Sequence, residues 1–483
     1  MKRTLTLLTA LLLAPLAAIP AAFADELPHV NAAGFGFSSA ATPGENVAAL
    51  QKALDGGHKV VTISTPGIYD LDATVYVDSH TRLACGKDVT LRKAAPYGFM
   101  LINRGVRTRE WNEGIAIDGL QIACNGHSRM PPPDDPAFGM RGHVSMFRVK
   151  GIEVTNFRCL DVKEPQFCLQ FNTFEDLLVD GFEIRGGKDG VHLGRGKHFV
   201  IRNGVCQTGD DAVALNAEDY PNASPAQGDI ADGLVENIVD EPLAPPAHQS
   251  GNLSRLITGA WVDWHEGIRL QNGDTVRRGR HVYRILATFD TTLHESKTPP
   301  AHSSGAWRSP EGLTFVHNTS DSIDRASIRN VTFRNIRSLA RNGFSAAWES
   351  DKYHRAVHPE VKPDALPVCE VIFENCTSAS PKESNFLSGN SNLKATLRNV
   401  VGNARLVAVT GNVHPIALDL MIEKSPFRPS DKPDSLPDVS LGGKVTGRFV
   451  VRGNTEERPI RLAVPESVKV IREQSQPNKG GPR

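Results

Sequence analysis

The chain has 483 residues, with 54 Lys and Arg against 54 Asp and Glu, a formal net charge of zero, and seven cysteines. Balanced charge without a basic stripe gives no support to nucleic-acid binding, and the odd, scattered cysteines lack paired metal-ligand spacing. The length accommodates one large domain with an embellishment.

Residues 1–24 read as a signal peptide. Lys2 and Arg3 form a positive n-region, Leu5 to Ile19 an apolar stretch, and Ala22-Phe23-Ala24 a small-x-small cleavage site. The apolar run is short and interrupted by proline, which argues against a membrane span. A secreted or periplasmic monomer is expected, with no cofactor and no membrane span.

Residues 25–250 carry short apolar alternations. Val47, Leu50 and Leu54 recur at helical spacing within 44–56, which predicts a helix covering the first coil of a solenoid. Short strands follow, punctuated by Pro66-Gly67 and Gly86. The loop 126–142, with its prolines at 131–133, could line one rim of a cleft. Cys159, Cys168 and Cys206 fall near strands as apolar filler.

In residues 176–217 one pattern occurs twice, offset by 22 positions. Leu177 corresponds to Phe199, Val179 to Ile201, Val191 to Val213 and Leu193 to Leu215. A repeat this short cannot bury its own apolar face, so it must stack on its neighbours. The fold class expected is all-β: a right-handed parallel β-helix with an N-terminal capping helix and an inserted small β module. Residues one coil apart would lie ~4.8 Å apart. The same offset takes Asp189 to Asp211, with Asp210 adjacent, so three carboxylates converge. One of them should hold a proton near neutrality, which supplies the acid and base of glycosidic cleavage. The plainer alternative is that Asp and Gly merely suit turns.

After Asn216 the regular pattern stops. Residues 251–312 are hairpin-like and hold three of the five tryptophans, which marks them as an insert. Their order of Trp264, Gly267, Gly273-Asp274, Tyr283-Arg284 and Trp307 resembles small β modules of chitin-binding type. Trp264 and Trp307 are candidates for stacking sugar rings, or else they form the insert's own core with Trp261. Solenoid character returns over 313–425, where ASIRNVTFRNIRS and VCEVIFENCTSAS each end at Asn and a turn. Cys369 and Cys376 are close enough in sequence for a local disulfide. Residues 426–483 offer a strand pair and a disordered tail.

The stretch KDGVHLGRGKHFVIRNGVCQTGDDAVALN resembles the core signature of polygalacturonase-type glycoside hydrolases (glycoside hydrolase family 28), an NTDG motif followed by GDD. Lys188-Asp189-Gly190 matches TDG and Gly209-Asp210-Asp211 matches GDD. The resemblance implies that Asp210 is the general acid, with Asp189 and Asp211 activating water in an inverting hydrolysis of a pectin-like polysaccharide. His192 lies among the matched residues as a further substrate-binding candidate. The family's later GHG and RIK motifs have no counterpart. With the insert skipped, GHG would fall at Pro310-Glu311-Gly312, making Glu311 a candidate, with His265 its rival; RIK would fall at residues 343–347. Arg341, Lys352 and Arg355 are the nearby cations that could bind a uronate carboxylate. Two other readings stand beside this one: a calcium-dependent polysaccharide lyase on the same fold, and a non-catalytic glycan-binding β-helix.

Overall fold

The computed structural model describes residues 29–473 except 58, 244–250, 289–291, 322–323, 340, 342, 350–365, 380–384, 403–404, 426–436 and 454–459. The expected signal peptide, the tail after 473, Lys352 and Arg355 lie outside the described residues. The architecture is a parallel β-helix. No helix among the described residues is long and apolar enough to cross a membrane.

Each full coil adds a strand to three parallel sheets. The first stacks residues 142–147, 167–172, 191–193, 213–216, 254–258, 345–349 and 385–389. The second stacks 149–155, 174–180, 196–202, 230–236, 328–334 and 369–374. The third stacks 182–186, 204–208, 238–240 and 337–338. Registers of Leu177 with Phe199 and Val191 with Val213 reproduce the 22-residue offset read from sequence. Strand alternation sends Leu177, Val179, Phe199 and Ile201 inward, where all are buried.

Helix Pro43–Asp55 closes the first coils, where it buries Leu50, Ala53 and Leu54. Its start is a capping box: Glu45 N–H donates to Thr42 Oγ1, and Thr42 N–H donates back to Glu45 Oε2 at 2.8 Å.

Two devices hold coil on coil. Phenylalanines tuck over glycines of the next coil, as Phe174 does over Gly196, Phe182 over Gly204 and Phe199 over Gly233. Asparagines in the left-handed region, with φ of 51–58°, turn the corner between the second and third sheets. Their side-chain amides form a ladder from Asn203 through Asn237, Asn335 and Asn375 to Asn399 at 2.8–3.3 Å per rung. This is the Asn-and-turn ending seen in the sequence alternations.

The ladder crosses the insert, since Asn237 and Asn335 touch although 98 residues separate them. Within 251–312, the stretch expected to form the insert, Ser254–Ala260 is a solenoid strand paired to residues 213–216 and 345–349. The separate five-stranded sheet runs from Val262–Asp263 to Thr314–Thr319. Beyond 425 the solenoid also continues: Val439–Arg452 and Val468–Glu473 are further parallel coils, where a strand pair was expected. All seven cysteines are free. Cys369 opens an extended strand and Cys376 lies past its end, on the order of 20 Å away at ~3.3 Å per residue, so the expected bridge does not form.

Alanine at Gly204 would place its Cβ in the Phe182 ring. Gly204→Ala should destabilise the protein by ~1–3 kcal/mol in denaturant unfolding, and Phe182→Leu in the same chain should restore part of it. An unchanged unfolding midpoint in the single variant would contradict this packing.

Candidate active site

Asp189, Asp210 and Asp211 sit where the chain turns from the third sheet into the first. Stacking brings them together: Gly190 N–H donates to Asp211 O at 3.0 Å, so the two turns lie on one another. Ligating oxygens of all three carboxylates lie within 4.8 Å of one another. The sequence-predicted cluster therefore exists in space.

Its electrostatics differ from the expectation. The ammonium of Lys188 forms a close ion pair with Asp210 and lies 3.4 Å from Asp189 Oδ1. Burial works to raise Asp210, but the Lys188 contact outweighs it and holds this carboxyl below its ordinary range. Asp211 is more deeply buried and faces Asp189; both effects push it up to about 7, against the pull of Arg255 Nε, 3.0 Å from its Oδ2. Asp211 Oδ1 also accepts from Asn252 N–H at 2.8 Å. Of the two neighbours, Asp211 is thus shifted toward holding a proton and Asp210 toward ionisation.

Two coil neighbours extend the cluster. His192, on the first sheet, donates from Nδ1 to Asp189 Oδ2 at 2.9 Å, and its Nε2 lies 3.3 Å from Asp219 Oδ2. Burial opposes charge on the ring, but the two carboxylates prevail and raise it to about 9. The same pairing overcomes burial at Asp219 and draws it down to about 2. Phe167 stacks on the imidazole at 4.0 Å, and Arg141, from the loop 126–142, lies 4.5 Å above Phe167. That loop does pack beside the site. Among the described residues, four carboxylates (Asp189, Asp210, Asp211 and Asp219) are met directly by three cations, Lys188, His192 and Arg255.

The remaining candidates lie elsewhere. Arg341 is 0 % exposed. It grips Asp240 through two bonds of 2.8 and 2.9 Å, takes Thr208 Oγ1 as acceptor at 2.7 Å, and donates to the carbonyl of Asp210. Bidentate pairing inside the solenoid makes it a clamp on the Asp210 backbone, out of reach of any substrate. Glu311 accepts from Thr298 within the module, and His265 sits on one of its exposed turns, contacting the Glu266 carbonyl at 3.2 Å. Neither joins the carboxylates. The coil that follows GDD passes through Gly251 and Asn252 before the module begins, so it is Asn252 that stacks on Asp211. Trp264 is half-buried, donating to Ser296 Oγ at 2.9 Å, and Trp307 packs 5.9 Å from Phe315. Both rings cover the module's own apolar cluster, whereas Trp261 belongs to the solenoid core. They are not open stacking platforms.

Sequence reasoning missed Lys188 as counter-ion, Asp219 and Arg255. Arg255 follows Ala214 by 41 residues, a coil length the 22-residue repeat does not announce. Its guanidinium lies 4.8 Å from the ring of Trp348, which is 41 % exposed. The module reaches the same neighbourhood: buried Glu218, next to Asp219, is held by Arg284 and Thr275.

No protein-family model matches the chain, and no curated protein matches it in sequence. Among solved structures, a hyperthermoactive exopolygalacturonase from Thermotoga maritima superposes with a TM-score of 0.52 at 12 % identity, over 86 % of this chain and 91 % of that one. That likeness shows the parallel β-helix fold. A family 28 exopolygalacturonase of Yersinia enterocolitica gives 0.43 at 12 %, covering 95 % and 79 %. Gene product 12 of bacteriophage phi29 gives 0.49 at 9 %, covering 92 % and 55 %.

His192 should titrate near 9 by NMR, and a midpoint near 6.5 would refute the double pairing. Its folded value lies above the ordinary ~6.5. The stabilisation is therefore complete below about 6.5 and is lost as pH rises through about 9. His192→Asn should lower thermal stability below neutrality and flatten that alkaline decline.

Proposed function

We propose that the protein is an exported glycoside hydrolase that cleaves a polysaccharide by acid/base catalysis at Asp189, Asp210 and Asp211. The observation that supports this most is the split between two adjacent carboxyls, Asp211 at about 7 and Asp210 held low. A proton-bearing carboxyl beside an ionised one is what cleavage of a glycosidic bond needs. In this reading Asp211 protonates the departing oxygen. Asp210, the most solvent-facing of the three, takes a proton from the attacking water. Asp189, fixed by His192, keeps the pair apart in ionisation. These roles exchange those that the resemblance implies, because Lys188 stands where the family has threonine. Attack by water would invert the anomeric centre, at a carboxyl spacing tighter than the ~6.5–9.5 Å usual for such pairs.

Arg255 and Trp348 form the cation and aromatic face that a charged sugar would meet beside the cluster. An exported enzyme acting on a pectin-like glycan is consistent with the leader read at Met1–Ala24.

The calcium-dependent lyase draws on one observation, the three carboxylate oxygens gathered within 4.8 Å. Hard cations favour such oxygens. Yet Lys188 already acts as counter-ion to Asp210 and Asp189, so calcium would have to displace it. The hydrolase is the better reading.

A reducing-sugar assay over a panel of pectin-like glycans, with and without chelator, tests both. New reducing ends that survive chelation, without ultraviolet absorbance from unsaturated products, are expected. Asp210→Asn and Asp211→Asn should each lower kcat by ~10²–10⁴. Because Asp211 must hold its proton, kcat/KM should fall as pH rises through about 7. Lys188→Gln should move the acid limb to higher pH, since Asp210 loses the contact that depresses it. Full activity in folded Asp211→Asn, or a rate unchanged well above pH 7, would rule out these roles.

A further inference from the structure

Away from the carboxylates, a trench of ≈ 500 Å³ runs along the corner where the first sheet passes into the second. Its lining comes from successive coils. Trp111 precedes strand Asn112–Asp118, Glu175 and Lys197 sit one coil apart, and Asp229 lies on the coil after. From Trp111 to Asp229 is four coil steps, about 19 Å at ~4.8 Å each. The trench therefore lies along the solenoid axis and suits a linear chain.

Trp111 is 47 % exposed, one of the largest apolar surfaces left open among the described residues. An open indole offers an apolar face to the C–H groups of a sugar ring. Beside it the charges are uneven. Arg148, which donates to the Arg109 carbonyl, is crowded by the guanidiniums of Arg109 and Arg195; burial and this crowding hold it below its usual range. The partner of Arg195 is Asp321, from the far end of the insert. Three guanidiniums against that one carboxylate leave a surplus that an added anion would relieve. The other trench charges are matched: Lys197 with Glu175 at 3.3 Å, Asp229 with Arg329 at 3.0 Å, and Asp324 with Arg325 at 4.0 Å. Those carboxylates can accept from sugar hydroxyls.

We propose that this trench is a second, non-catalytic site that binds an acidic polysaccharide, its rings stacked on Trp111 and its carboxylates or sulfates paired with Arg195 of its lining and with neighbouring Arg148. The site does not depend on the hydrolytic reading of the Asp cluster. It would hold a polymer along the coils while other parts of the same chain remain free.

Affinity electrophoresis and calorimetry of the full chain with polygalacturonate test it, with neutral dextran and duplex DNA as comparators. An Asp210→Asn background prevents consumption of the probe. Retention by polygalacturonate that weakens with added salt is expected. Trp111→Ala and Arg148→Gln, added singly, should each weaken binding on the order of tenfold, and Trp111→Phe should keep most of it. Trp111 is exposed, so its replacement should leave the unfolding transition unchanged. Wild-type affinity in both the alanine and glutamine variants would overturn the proposal. So would equal retention by dextran, or tighter binding to DNA than to the acidic glycan.

Discussion

Parallel hydrogen bonding of each coil to the next, at one fixed register, is the constraint on which everything else depends. A parallel ladder spaces neighbouring strands by ~4.8 Å. Distance along the sequence is thereby converted into height along an axis, and residues at the same phase of successive coils become contacts. Phe182 over Gly204 and the asparagine ladder keep that register, because a slip of one residue would turn every inward side chain outward. The carboxylate cluster is a product of the same rule: Asp189 and Asp211 meet because their turns occupy equal phases of adjoining coils.

Such stacking has an electrostatic cost, since like charges are brought together in a site sheltered from water. The protein offsets it with Lys188, His192 and Arg255, each drawn from a different position on the turns and the first sheet. Burial of Asp211 and placement of Lys188 beside Asp210, more than the identity of the acids, set the two carboxyls apart. Lys188 holds Asp210 below its ordinary range, and the deeper Asp211 is pushed above it. Arg341 acts at one remove by clamping the backbone that carries Asp210. Being buried with Asp240, it is expensive to disturb, about 3–5 kcal/mol for loss of one partner of such a pair.

Much of the fold was legible in the sequence. Short apolar alternation, the 22-residue repeat and the asparagine endings each reflect a local requirement of a coil, and they survive wherever coils are of even length. The acids were legible for the same reason. What escaped is set by contacts across coils of unequal length. Arg255 lies 41 residues beyond Ala214, and the coil after GDD runs through Gly251 and Asn252 before the insert begins, so a search that skipped the insert arrived at Glu311 instead. Arg341 looked like a free cation because nothing local signals that its partner, Asp240, is 101 residues earlier. Trp264 and Trp307 carry the same composition whether they face sugar or their own small core, and only packing separates the two.

The rung between Asn237 and Asn335 also has a meaning for synthesis on the ribosome. Coils up to Ile230–Asp240 can assemble as they emerge, but the strand that covers them, Ile328–Arg334, follows 98 residues later. At ~5–20 residues per second, that edge waits for roughly 5–20 s with its backbone groups unpaired. An unpaired parallel edge is a template for another chain. Nascent protein is therefore most exposed to mispairing at one place, and the module that interrupts the solenoid is what emerges during that interval.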